Sequence, residues 1–175
     1  MPKVVPTTDF ENRSRDIILG RVYSLTAADA TEATDVIRAA FAAQDYKTDP
    51  PTSALKETPE RIGAVIADGG GFGFHCDGGL VALVLLKILP DALHVRRLAV
   101  LPEFRGLGLG AKLVVACETA AAARGLKFLE VHVRLALTGN RAFFTRLGFV
   151  ETGEGRHEGF DAVTFVVARK ALGPA

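Results

Sequence analysis

The spacing of apolar and polar positions changes period repeatedly along the chain, and each change marks an element. Residues 21–25 (RVYSL) alternate like a strand, and Thr26 then offers a capping hydroxyl to an alanine-rich stretch at 27–43 with helical spacing. A polar, proline-bearing segment ends at Thr58-Pro59-Glu60. There a capping hydroxyl and a proline at the first helical position open a second helix, which the glycines at 69–71 close. Residues 72–76, the Asp77-Gly78-Gly79 turn and residues 80–89 read as a hairpin. Its second strand is apolar on both faces, as in the middle of a covered sheet. A strand at 92–100, a long helix at 106–124 closed by Gly125 and a strand at 128–134 follow. A short helix at 140–147, ended by Gly148, and two strands at 149–157 and 160–168 complete the chain. This order predicts an α/β (α+β) mixed sheet, mostly antiparallel, with one parallel crossover near its middle and helices on both faces.

Composition sharpens the picture in a few places. A length of 175 residues with 49% hydrophobic and 23% charged residues fits one globular domain. Residues 1–19 read as a flexible arm and 20–175 as the folded domain. The longest apolar run, 80–86, has seven residues, against the roughly 20 needed to cross a membrane. The N-terminus lacks an apolar signal core, so a cytoplasmic location is expected. Cys76 and Cys117 lack neighbours at metal-ligand spacing and read as reduced, structural thiols, and no metal is expected. A net charge of +1 supplies no broad attraction to nucleic acid or membranes, so neither is expected as a partner.

The candidate chemistry lies between the strand at 92–100 and the helix after it. From Arg105 to Lys112 the chain reads RGLGLGAK, with no acid where the first helical turn normally collects them. Gly106, Gly108 and Gly110 let the backbone approach a ligand and aim N–H groups at an anion, with Arg105 and Lys112 adding charge. Gly106, Gly108 and Ala111 also fit a dinucleotide fingerprint, with Glu130 about 20 residues on. Against that reading, the insert 102–105 separates strand from glycines, and a single crossover unit is too few for a doubly wound sheet. A P-loop lacks its hydroxyl, because Leu113 follows Lys112.

The run Arg105-Gly106-Leu107-Gly108-Leu109-Gly110, the preceding strand residues 97–100 and the later NRAFFTRLGF at 140–149 resemble the GNAT superfamily of acyl-CoA-dependent N-acyltransferases. The resemblance implies a GNAT-like fold and an N-acetyltransferase. Such an enzyme moves an acetyl group from acetyl-CoA, its co-substrate, to a primary amine of a small-molecule or peptide acceptor. Transfer would occur by direct attack on the thioester, the oxyanion being met by a backbone N–H near Val100. It also implies that Leu98, Ala99 and Val100 pair with the pantetheine arm. The amides of Arg105, Gly106, Leu107, Gly108, Leu109 and Gly110 would hold the pyrophosphate, and Asn140 and Phe144 would flank the cofactor. An alternative for Asn140 is a helix cap.

Phe144 stands where a tyrosine able to protonate the thiolate is common in that family. Tyr46, in the loop that borders the acceptor site in the family, and His157 and Glu103 are candidates for proton transfer. Glu158, Glu130, His132 and His94 are further candidates that spacing does not separate. Arg96 and Arg97, adjacent on one strand, point to opposite faces, so that one can reach the acceptor. Two other functions stay open, a CoA-binding module without catalysis and a dinucleotide-binding protein. A homodimer is the default oligomer.

Overall fold

The computed structural model describes residues 20–44, 47–76 and 78–173. Its strands are β1 (Val22–Ser24), β2 (Gly71–Cys76), β3 (Gly79–Ile88), β4 (Ala92–Val100), β5 (Phe128–Arg134), β6 (Val150–Gly155) and β7 (Phe165–Ala171). The α-helices are α1 (Ala30–Ala42), α2 (Pro59–Gly69), α3 (Leu109–Ala123) and α4 (Thr138–Arg146). The strands form one sheet in the order β1-β2-β3-β4-β5-β7-β6. All neighbours are antiparallel except β4 and β5, the parallel pair joined through α3. The mixed sheet expected from the element order is therefore present, with its crossover in the middle.

Burial explains the layering. On β3, Leu83 and Leu85 join Ala33 and Ile37 of α1 and Ile62 and Ile66 of α2 in one core. Val84 and Leu86 join Leu113, Val114 and Cys117 of α3, with Leu93 and Val131, in the core on the opposite face. A strand apolar on both faces is thus covered on both, which is why β3 reads as an unbroken apolar run. Each such leucine contributes about 2–3 kcal/mol by leaving water. Cys76 and Cys117 are buried and form no disulfide. Burial, and then nearby Glu118, push the Cys117 thiol up to about 12.

Several boundaries differ from the sequence pattern. The helix expected at 27–43 begins as a 3-10 turn, Ala27–Asp29, and becomes α-helical at Ala30. Asp29 bonds back to the N–H of Thr26 at 2.7 Å and holds that tighter turn. The long helix starts at Leu109 instead of 106, because Gly106 and Gly108 take left-handed backbone angles. The last two strands end and begin at Gly155 and Phe165, not on either side of a tight turn at 157–159. Thr164 sets that spacing, since its N–H donates to Gly155 and its C=O accepts from Leu135. The arm at 1–19 lies outside the described residues.

The central strands position the site. β4 and β5 pair only from Ala92 to Val95 against Phe128 to Val131 and then part. Just beyond the last pair, β4 carries a bulge. Arg96 pairs with Leu85 and Ala99 with Leu83, so Arg97 and Leu98 together face Val84. Arg97 has φ of 51°, a left-handed angle uncommon outside glycine. Its side chain is anchored, donating to Glu57 at 2.6 Å and to Ser53 at 2.8 Å. The bulge turns the β4 backbone out of register as the sheet opens toward β5.

Candidate active site

Two cavities fill the opening between β4 and β5 and meet at Phe41, Gln44, Leu98, Asn140 and Phe144. One, of about 490 Å³, is lined by Leu98, Ala99 and Val100 on β4 and by the glycine turn before α3. The other, of about 580 Å³, lies over the start of β4 and over β5, toward His94, Arg96, His132 and Arg134. A ligand along the β4 edge can therefore reach a second molecule beside Leu98.

The glycine turn is built for close approach. Gly106 and Gly108 have φ of 76° and 79°, and a Cβ on either would meet nothing within 4 Å, so the space over the turn is open. Among the described residues the N–H groups of 106–111 donate to no protein acceptor. The first bond made at this helix start is from Lys112 to the Gly108 carbonyl, at 3.1 Å. No acid sits in the first turn of α3. Unsatisfied donors at the positive end of a 15-residue helix can receive an anion. Gly110 has a different reason for being glycine. Its backbone is not left-handed, and a Cβ there would lie 3.1 Å from the Phe143 ring of α4.

The two expected charges are engaged within the protein, and of the two only Arg105 lines the smaller cavity. Arg105 donates its own N–H to Pro102, and its guanidinium caps the end of α1 through the Ala40 carbonyl at 2.8 Å. It reaches back to Val100 as well, at 3.3 Å. Arg105 thus ties the turn to α1 and β4 while it lines the cavity of the glycine turn. The Lys112 ammonium lies 5.5 Å from the centre of the Phe74 ring. Leu107 is partly buried against the α3 core and lines neither cavity.

Polar groups converge on the larger cavity. Lys87, His94, Glu130 and Arg169 form one cross-strand row through β3, β4, β5 and β7, because each is the register partner of the next. Glu130 accepts from Arg169 at 2.8 Å and lies 2.9 Å from His132 Nε2. Burial works to raise the Glu130 carboxyl, but the bonds from His132 and Arg169 outweigh it and hold the group below the usual carboxylate range. His94, whose ring lies 4.3 Å from that of His132, is pushed down to about 4, by burial first and then by His132, Arg96 and Lys87. It is neutral near pH 7. Donor atoms of His94, Glu130 and His132 lie within 4.8 Å of one another, a spacing that could gather a metal ion. A cation there would compete with Arg169 for Glu130, beside Lys87 and Arg96, and this electrostatic setting favours handling protons over binding metal.

The other expected residues fall as follows. His157 lines the larger cavity, with its N–H and Nδ1 on Thr164 Oγ1 at 2.9 and 2.6 Å. Burial, and then the charges of Arg134 and His132, lower its pKa. Glu103 is set away from both cavities, because the 3-10 turn Pro102–Phe104 buries Phe104 and leaves Glu103 in solvent. Asn140 lines both cavities from inside α4 and does not cap it, Leu137 being the cap position. Phe144 also lines both, packed edge-on against Phe143 and Phe149. Tyr46 lies outside the described residues. Spacing along the chain did not single out the pair His132 and Glu130. The available signal was the alternation in β5, where Glu130, His132 and Arg134 share the face opposite Leu129, Val131 and Val133.

A sheet that opens at its parallel pair, with a donor-rich glycine turn at one end and a titratable cavity at the other, agrees with the fold that the resemblance of 105–110 and 140–149 implies. The acetyltransferase (GNAT) family model matches residues 35–149, more than half of the chain, and the protein belongs to that family of acyltransferases. The PaiA N-acetyltransferase from Thermoplasma acidophilum, solved in complex with coenzyme A, superposes with a TM-score of 0.72 at 19% identity, over 87% of this chain and 98% of that one. A GNAT-family acetyltransferase from Streptococcus pneumoniae gives 0.71 at 15% identity, over 88% and 99%. No curated protein matches the chain by sequence. At these identities the structural likeness speaks for the fold. Among the described residues no helix is long and apolar enough to cross a membrane.

Proposed function

We propose that this protein is an N-acetyltransferase that carries the acetyl group of acetyl-CoA to a primary amine of an acceptor held in the larger cavity. The observation that supports it most is the meeting of two cavities at Leu98, Asn140 and Phe144, one ending on the glycine turn and the other on the His132–Glu130 pair. The amides of 106–110 receive the pyrophosphate, and the edge of Leu98, Ala99 and Val100 that β5 leaves uncovered receives the pantetheine arm as an added strand. The thioester then lies where the cavities join.

The reaction is a direct displacement. The neutral amine nitrogen bonds to the thioester carbon while the carbonyl π electrons move onto oxygen, and a backbone N–H near Val100 meets that oxyanion. Collapse re-forms the carbonyl and breaks the C–S bond, releasing CoA thiolate. The attacking nitrogen must shed one proton for each turnover, and His132, held by ionised Glu130, lines the cavity as its acceptor. Phe144 has no proton to give, so the thiolate is protonated by another donor. His157 lines the cavity but is tied to Thr164, which suits positioning better than proton transfer.

The test is release of free CoA thiol from acetyl-CoA against a panel of primary amines, with the acetylated amine identified by mass. Expected is amine-dependent release that falls at least about tenfold in His132→Gln while acetyl-CoA binding is retained. Acetyl-CoA binding without transfer to any amine would favour a CoA-binding module without catalysis.

A further inference from the structure

The larger cavity holds more positive charge than its own carboxylates balance. Lys87, Arg96, Arg97 and Arg134 line it, against Glu130 as its one carboxylate among the described residues. Glu130 is committed to Arg169 at 2.7 Å, and Arg97 to buried Glu57 at 2.6 Å. Two half-buried guanidiniums are left over. Among the described residues the Arg96 guanidinium meets no hydrogen-bond or ion-pair partner. Arg134 gives one N–H to the Pro50 carbonyl at 2.6 Å and, among the described residues, meets no carboxylate. Burial, and then the neighbouring Arg97 charge, push Arg134 below the ordinary arginine value, the response of a cation placed among cations. Neither Arg96 nor Arg134 touches the cavity of the glycine turn, so cofactor phosphates held there would leave both arginines unserved.

Resting on the acyltransferase reading, we propose that the acceptor is a small amine that also carries an anionic oxygen group, a carboxylate or a phosphate, bound by Arg96 and Arg134. The planar guanidinium fork matches either group with paired N–H bonds. Spacing is suitable as well. Arg134 lies two residues beyond His132 on the same face of β5, about 7 Å along the strand. One small molecule can therefore place its anion on Arg134 and its amine beside His132. The same cations work against a second positive charge, so they disfavour polyamines and favour the neutral amine that attacks.

The experiment is calorimetric titration of the protein saturated with CoA, which cannot turn over. The titrants are a panel of amino acids, their carboxamides, the matching aminophosphonates and 1,4-diaminobutane. Expected is that at least one acid binds about tenfold or more tightly than its carboxamide and than the diamine. That preference is expected to disappear in Arg134→Gln and in Arg96→Gln, the second of which removes no bond within the protein. The carboxylate and phosphonate arms decide which anion is used. Equal or weaker binding of every acid, or a preference unchanged in both variants, overturns the proposal. Because the assay needs no turnover, an intact preference without acetyl transfer counts against the acyltransferase reading alone.

Discussion

At the scale of single residues, Arg97 shows how the cleft is held open. Its left-handed backbone is costly, by roughly 1–2 kcal/mol for a side chain other than glycine, and its guanidinium secures that geometry through Glu57, which is 7% exposed. Arg97→Ala leaves the Glu57 carboxylate with Arg61 at 3.8 Å as its remaining ion pair. The expected loss is about 3 kcal/mol, read from the urea midpoint, and a loss within experimental error would show that Glu57 does not depend on Arg97. His94 carries a pH signature. An unfolded imidazole titrates near 6.5, whereas folded His94 is pushed down to about 4. Between those values the unfolded chain binds a proton that the native protein does not. His94 therefore contributes fully above about pH 6.5, and its contribution is lost as the pH falls toward 4. In His94→Asn the stability curve is expected to be flatter across that window, and parallel curves for the two proteins would argue against the assignment.

At the scale of elements, the glycine turn and α3 were legible as a pattern, and their details were not. The missing acids between Arg105 and Lys112 marked this helix start as a candidate for an anion, and among the described residues the donors of 106–111 meet no protein acceptor. What the pattern could not show is that three glycines serve two purposes, or that Arg105 serves α1. Those depend on Phe143 and on the end of α1, brought close only by folding. Gly108→Ala is expected to cost about 1–2 kcal/mol and to weaken CoA binding, because φ of 79° is strained for alanine. Gly110→Ala gains about 1 kcal/mol of helix propensity against a tight Phe143 contact, and is expected to leave stability within about 1 kcal/mol of wild type. A reversed order of the two effects in thermal unfolding would refute this division of roles. Arg105→Ala removes a charged bond to the α1 carbonyls, and the expected loss of about 1.5–3 kcal/mol is to appear without ligand present.

At the scale of the whole molecule, the fold was readable because β3 is apolar on both faces and the crossover from β4 to β5 is clear in the order of elements. The far end of the sheet was less so. The loop 156–164 is placed by Thr164 bonds to Gly155, Leu135 and His157, which join segments from across the sheet. The larger cavity was hidden for the same reason. His94 and Glu130 face each other only in the register of β4 on β5, and no local pattern encodes that register.

The central claim is that the opening between β4 and β5 binds acetyl-CoA, and thermal unfolding with ligand addresses it most directly. A ligand at ~100 times its dissociation constant stabilises by about 2.7 kcal/mol, which is roughly 5–10 °C for a domain of this size. The account predicts such a shift with acetyl-CoA and with CoA, none with NAD, and its loss in Gly108→Glu. No shift with either CoA species, or an equal shift with NAD, would contradict it.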